Sequence, residues 1–287
     1  MKGRIGIIGG SGLYGMEGIK KASKVRVKTP FGEPSDGYVI GSMGGAEVVF
    51  LTRHGKGHKI SPSEINCRAN IYGMKKLGVD RIISVSACGS LKENLKPLDI
   101  VIPDQFVDRT HQARPMTFFR DGIVAHIQFS DPVCPDLAKM LYAAGRSVGA
   151  AVHMGGTYLN MEGPQFSTRA ESNLYRSWGM DVIGMTNIAE ARLAREAEIC
   201  YATLACITDY DCWHQSEEMV SVEMIVQNLM KNIDTAKKIL VKALPKLSGH
   251  RGCACASALK DAIITDPKVI SPKIKKALGP IIGKYIK

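Results

Sequence analysis

Short apolar runs alternate along this chain with longer stretches whose apolar positions recur at helical spacing. The runs at 4–8, 38–41, 47–51, 81–86, 97–103, 152–159, 181–186 and 200–206 carry the Val, Ile and small-residue content of buried strands. Met43-Gly44-Gly45-Ala46 joins two of them and predicts a hairpin with a glycine turn. Ser61, Pro62 and Glu64 together read as a helix start, with Gly78 as the stop. Residues 136–148, a stretch capped by Thr168 with Glu171, residues 187–198 and residues 222–244 predict further helices. In the last, Val222, Ile225, Val226, Leu229, Ile233, Ala236, Ile239 and Leu240 fall at helical spacing. Residues 18–23 and 104–132 read as loop. Strands alternating with helices argue for an α/β fold with a largely parallel sheet, and the hairpin makes that sheet mixed. No repeat or linker divides the chain, so the expectation is a single domain over 1–248 with a C-terminal extension, 249–287.

Composition narrows the class. At 287 residues with 45% hydrophobic and 23% charged residues, the chain can build a full core. No apolar run is long enough to span a bilayer, and M-K-G-R-I-G-I-I-G-G lacks the apolar stretch of a signal peptide, so a cytoplasmic location without membrane contact is expected. The eight cysteines are then expected as thiols; Cys253-Ala254-Cys255 alone offers too few ligands for a zinc site. The net charge of +11 is local: residues 231–287 hold 13 basic and 3 acidic residues, while the first 230 are almost balanced. Tyr285 is the only aromatic side chain among those last residues, so a solvated lysine-rich face is favoured over nucleic-acid binding.

Candidate chemistry sits where the strands end. The first strand breaks into Gly9-Gly10-Ser11-Gly12, a turn whose amides and hydroxyl suit an anion. Its spacing fits a dinucleotide fingerprint poorly, and no acidic ribose partner completes the pattern. Arg53 and His54 end another strand, one with a guanidinium fork and one with an imidazole donor. Ser86 with Ala87, and Thr186, place further hydroxyls and amides at sheet ends. Phe166 lies on a loop. Asp209 and Asp211 follow a wholly apolar strand, and residues two apart on an extended chain face the same way. The pair suits a ring edge bearing donors, and equally a solvated strand end.

Taken in order, G-I-I-G-G-S-G-L near the start, T-R-H-G at 52–55, S-A-C-G-S-L at 86–91, N-M-E-G-P-Q-F-S-T-R-A-E-S at 160–172, I-G-M-T at 183–186 and T-D-Y-D-C-W at 208–213 decide between these. Over residues 3–245 the chain resembles the 5′-methylthioadenosine phosphorylases of the trimer-forming purine nucleoside phosphorylase superfamily. The resemblance implies that Ser11, Arg53, His54, Ser86, Ala87 and Thr186 hold phosphate. The family often has threonine at the two serine positions, and serine keeps the hydroxyl. It implies that Met185 packs beside the ribose, and that Phe166, Ser167, Asp209 and Asp211 face the purine. Val222, Ile225 and Val226 would line a pocket for the 5′-methylthio group. His126 would be supplied by a neighbouring subunit of a homotrimer or dimer of trimers, although Gln128 and Ser130 depart from the usual pattern around it.

The implied reaction is phosphorolysis of 5′-methylthioadenosine, with Asp209 as general acid at N7 and Asp211 assisting. Phosphate is a co-substrate, and no metal or organic cofactor is required. The alternative within the same fold is a phosphorylase for inosine, guanosine or methylthioinosine. A carboxylate accepts from a 6-amino group and repels a 6-oxo group, so the aspartates favour adenine.

Overall fold

The computed structural model describes residues 3–10, 13, 18–111, 114–214, 222–247, 249 and 251–286; Ser11 and the side chain of Val222 lie outside this description. Among the described residues eleven strands form one mixed sheet, with six α-helices around it. Its centre is β1 (Arg4–Gly9), β4 (Ala46–Thr52), β5 (Val79–Ser90) and β11 (Cys200–Asp209). These four run parallel in the order β4-β1-β5-β11.

Side-chain alternation along the central strands builds two cores, because successive residues point to opposite faces. Ile7, Val48, Phe50 and Leu204 face one side. There they meet α2 (Pro135–Ser147) and α5 (Val222–Ala243) through Leu137, Leu141, Ile233 and Ile239. Ile8, Val49, Leu51 and Tyr201 face the other side. That side is covered by α1 (Cys67–Lys76), α4 (Asn187–Glu196) and α6 (Pro272–Ile282) through Ile71, Met74, Leu193, Leu278 and Ile282. Full burial on both faces explains why β11 reads as a continuous apolar run.

β5 is the pivot. On one edge it pairs with β11 from Arg81 to Gly89; on the other it pairs with β1 as far as Val85 and then, through Gly89 and Ser90, antiparallel with β10 (Val182–Gly184). The sheet continues through β9 (Thr157–Met161) to β7 (Gln105–Arg109). A branch on the far side of β11 holds β6 (Ile100–Ile102) and β8 (Val152–Met154). The hairpin of β3 (Tyr38–Met43) with β4 turns on Gly44 and Gly45, both at positive φ, as a two-residue turn between right-twisted strands requires.

Several elements differ from the sequence expectation. Lys20–Val25 is not loop but an edge strand, β2, paired with β3; its lysine-rich exposed face carries no apolar alternation, the composition that protects an edge. The segment 104–132 contains β7, whose Gln105-Phe106-Val107-Asp108-Arg109 has only two apolar residues, adjacent rather than alternating. The apolar run at 152–159 is two strands, β8 and β9, split at Gly155-Gly156 and paired with different partners. The capping box of Ser61 and Glu64 closes only a 3₁₀ turn; α1 starts later, with the Asn66 side chain accepting from the Ala69 amide. α6 begins at Pro272 and runs on past Pro280 as one helix. Residues 251–286 fold back on the body: Leu278, Ile281 and Ile286 are buried, and Tyr72 Oη donates to the Ala277 carbonyl. No described helix is long and apolar enough to cross a membrane.

Candidate active site

The carboxyl ends of β1, β4, β5 and β11 open into a cavity of about 790 Å³. Open α/β sheets bind ligands at this edge. Arg53, His54, Ser86, Ala87, Phe166, Met185, Thr186, Asp209, Asp211, Ile225 and Val226 all line it, so the structure brings together most of the residues singled out from sequence. Ser167 lies beside the cavity rather than in its lining, with its hydroxyl 3.7 Å from Met161 Sδ. His126 is exposed and stands away from this cavity, on a segment bridged to the C-terminal extension, where its amide donates to the Ala262 carbonyl.

One part of the lining is built for an anion, although not as the sequence suggested. Arg53 is 1% exposed, and its fork is taken by an acid that sequence reasoning missed. Its Nε donates to Glu190 Oε1 at 2.5 Å and its Nη2 to Glu190 Oε2 at 3.3 Å. Burial opposes the Arg53 charge, yet the Glu190 carboxylate holds its pKa above the ordinary value. A methyl built on Gly10 would stand 3.1 Å from Arg53 Nη1, which donates to the Val85 carbonyl at 3.2 Å, so the bare glycine makes room for the guanidinium.

His54 is likewise not the free donor expected. Burial and the nearby Arg53 charge push its pKa down to about 4, so it is neutral. Its Nδ1 lies 2.9 Å from the Ile60 carbonyl and must carry the proton to bond it. Nε2 is then an acceptor, and it donates to an anion only once protonated. Thr186 is the N-cap of α4, whose positive end favours an anion. Ser86 Oγ is buried beside the Tyr158 hydroxyl without a hydrogen bond of good geometry, so its proton can turn to a ligand. Ser86 and Ala87 lie inside β5 rather than at its end, in the gap on one edge between the last pair with β1, at Val85, and the first with β10, at Gly89.

The other part is built for a ring with donors. The ladder between β11 and β5 slips between Ile207 and Asp209, which re-aims the strand end. Asn228 and Asn232 of α5 donate to the carbonyls of Thr208 and Ile207, each at 2.8 Å, and fix this bulge. Asp209 and Asp211 do converge on the cavity, but not as alternate residues of an extended chain. Asp211 has φ of 53°, and its amide donates to Asp209 Oδ1 at 2.8 Å, so a side-chain turn brings them together. Burial raises the Asp211 pKa against the pull of the neighbouring Ser172 and Ser167 hydroxyls, and its Oδ2 has no hydrogen-bond partner of good geometry. Asp209 Oδ2 is 2.6 Å from Thr208 Oγ1, which is itself 3.2 Å from the Cys88 carbonyl. The single Thr208 hydroxyl proton can serve only one of these two acceptors at a time.

Two further residues hold the parts in register. Arg114, 5% exposed, donates from Nε to Glu162 Oε1 at 2.9 Å and from its other nitrogens to the Glu162 and Met185 carbonyls. Glu162 also accepts from Ser63 Oγ and the His111 amide. The loop bearing Phe166 is thereby tied to the strand end bearing Met185 and Thr186. A lone charge inside an otherwise uncharged loop, as Glu162 is within 160–168, was the one sequence signal for this. Apolar lining comes from Ile225, Val226, Leu229 and Met230 of α5, with Val226 and Met230 about half exposed.

A mixed sheet with this crevice matches known proteins throughout. A sequence model described as the phosphorylase superfamily matches residues 4–245, and the chain belongs to that superfamily. Within it, the chain is 60% identical over 282 residues to S-methyl-5′-thioadenosine phosphorylase of Geobacter sulfurreducens, covering 98% of this chain and 99% of the relative. It is 58% identical to the enzyme of that name from Koribacter versatilis, covering 99% and 97%. The crystal structure of a methylthioadenosine phosphorylase from an Antarctic soil metagenomic library superposes with a TM-score of 0.92 at 50% identity, covering 98% of this chain and 99% of the other. Methylthioadenosine phosphorylase from Schistosoma mansoni in complex with adenine superposes with a TM-score of 0.85 at 38% identity, covering 90% and 96%.

Proposed function

We propose that this protein cleaves the N-glycosidic bond of 5′-methylthioadenosine with inorganic phosphate, giving adenine and 5-methylthioribose 1-phosphate. The observation that carries the reading is a buried hydroxyl and a pair of carboxylates lining one cavity: Ser86, and Asp209 with Asp211. A phosphate oxygen satisfies the first and a purine amino group the second, with the ribose between them. The names and close similarity of the relatives support the same reaction.

Bond breaking leaves positive charge on the ribose and negative charge on the purine. Phosphate held by Ser11, Arg53, His54, Ser86, the Ala87 amide and Thr186 attacks C1′ and faces the developing cation. Because Glu190 already balances Arg53, the anion is held by hydroxyls, an amide and a partly balanced guanidinium, with neutral His54 accepting through Nε2 from a protonated phosphate oxygen, so it keeps its nucleophilicity. Protonated Asp209 delivers its proton to N7 as the C1′–N9 bond breaks, and Asp211 accepts from the 6-amino group. Phe166 and Ser167 border the base, and Met185 packs on the ribose. Val222, Ile225 and Val226 receive the methylthio group. The reaction so written uses no metal or organic cofactor.

The protein works as a homotrimer or dimer of trimers in the cytoplasm, each cavity completed by His126 of a neighbour. Support for this comes from the exposure of His126 away from its own cavity and the half-open lining at Phe166, Val226 and Met230. The test is incubation with 5′-methylthioadenosine with and without phosphate. Free adenine and 5-methylthioribose 1-phosphate should appear only with phosphate; adenine release without it, or faster turnover of inosine or methylthioinosine, would refute the assignment.

A further inference from the structure

A side-chain cluster far from the cavity has a chemistry of its own. Cys134 is the N-cap of α2, Cys200 the first residue of β11, and Cys253 and Cys255 flank Ala254 at the 3₁₀ turn Ala254–Ser257. All four Sγ atoms lie within 4.8 Å of one another, with Cys200 and Cys253 at 3.3 Å. A tetrahedral metal with metal–sulfur bonds of about 2.3 Å needs sulfurs about 3.8 Å apart, inside this range. The sequence reading of Cys253-Ala254-Cys255 as plain thiols rested on a shortage of ligands. Folding supplies the missing pair: the Cys134 amide donates to the Tyr201 carbonyl, which seats Cys134 beside the start of β11.

The surroundings suit a charged site. Cys134, Cys200 and Cys255 are buried in the core shared with α2 and α5, and Cys253 is half-buried at its margin. Four thiolates around a divalent ion leave two negative charges. Arg251 places Nη1 4.0 Å from Cys200 Sγ, while the same nitrogen donates to the Asp80 and Glu198 carbonyls. The positive end of α2 adds to this at Cys134. Cys200 and Asp209 stand at opposite ends of β11, about 30 Å apart at ordinary strand rise. The cluster is therefore separate from the carboxylates of the cavity.

We propose that Cys134, Cys200, Cys253 and Cys255 form a closed tetrathiolate site for zinc that pins the C-terminal extension to the body of the fold. With four protein ligands the ion has no open position for a reactant, so its role is structural. Binding exchanges four S–H protons for one Zn²⁺ and forms four Zn–S bonds, with no change of oxidation state. It fastens the turn at 253–257 to β11 and α2, next to the ion pair of Lys284 with Glu198 and the hydrogen bond of Tyr285 Oη to Glu198.

The test is metal analysis of the full-length, untagged protein, expressed with zinc available and purified under reducing conditions. About one zinc per chain is expected, with about four protons released when zinc is returned to chelator-stripped protein. Cobalt substitution should give the absorption of a tetrahedral thiolate complex. The Cys253→Ser/Cys255→Ser double variant should lose the metal and expose the C-terminal extension to protease. Protein with no bound metal would overturn the proposal, whether its four cysteines map as disulfides or as free thiols. So would iron in place of zinc, or zinc retained at full stoichiometry by the double variant. Stoichiometry and the cobalt spectrum of the unaltered chain decide the matter even if the variant does not fold.

Discussion

Asp209→Asn tests the purine end of the site most directly. The substitution changes one oxygen to an NH₂ group at constant shape. Asp209 Oδ1 accepts the Asp211 amide and Oδ2 meets Thr208 Oγ1. The asparagine carbonyl can keep the first contact. Its NH₂ can donate to Thr208, whose hydroxyl then turns fully to the Cys88 carbonyl. The fold therefore loses little, about 1 kcal/mol or less. Catalysis loses a proton donor at N7, and general-acid loss costs roughly 10²–10⁴ in rate, or about 3–5 kcal/mol. The new NH₂ suits a 6-oxo group, so the activity ratio of methylthioadenosine to methylthioinosine should fall by roughly the same 10²–10⁴. The assay follows adenine and hypoxanthine release by chromatography at saturating phosphate, with thermal unfolding as the folding control. A folded variant whose kcat/KM for methylthioadenosine stays within about threefold, with its substrate ratio unchanged, would refute the role given to Asp209.

Glu190→Gln should leave the buried Arg53 charge unbalanced and cost roughly 3–5 kcal/mol in urea unfolding, with added phosphate recovering part of the loss; a loss below about 1 kcal/mol, or no phosphate effect, would count against the pairing. His54 adds a pH dependence to stability. Its pKa is about 4 folded and about 6.5 unfolded, so its contribution is complete above pH 6.5 and lost as pH falls toward 4. The stability gap between the parent protein and His54→Asn should therefore shrink by roughly 3 kcal/mol across that window, and a pH-independent gap would contradict the neutral buried imidazole. Val226→Ser removes apolar lining from the α5 side of the cavity, so kcat/KM for methylthioadenosine should drop about five- to tenfold with little change for adenosine. Equal losses on both nucleosides would move the methylthio group elsewhere.

Much of this molecule is legible in the chain because it depends on local chemistry. The apolar runs of β1, β4 and β11, the Gly44-Gly45 turn and the Thr168 cap are set by residues within a few positions of one another. The ordered motifs carrying Arg53, Ser86, Thr186 and Asp209 are equally local, and strand ends are where an α/β sheet places its ligands. The tertiary structure decided what depends on long-range neighbours. Glu190 takes the Arg53 fork from 137 positions away. Asp209 and Asp211 meet through a left-handed turn that follows a bulge in a pairing with β5. Cys134 and Cys200 join Cys253 and Cys255 only because β11 begins where α2 and the returning C-terminal segment converge. Periodicity reports which face of an element is buried, while the partner across that face, and with it charge, protonation and metal-ligand count, exists only after the chain has closed on itself.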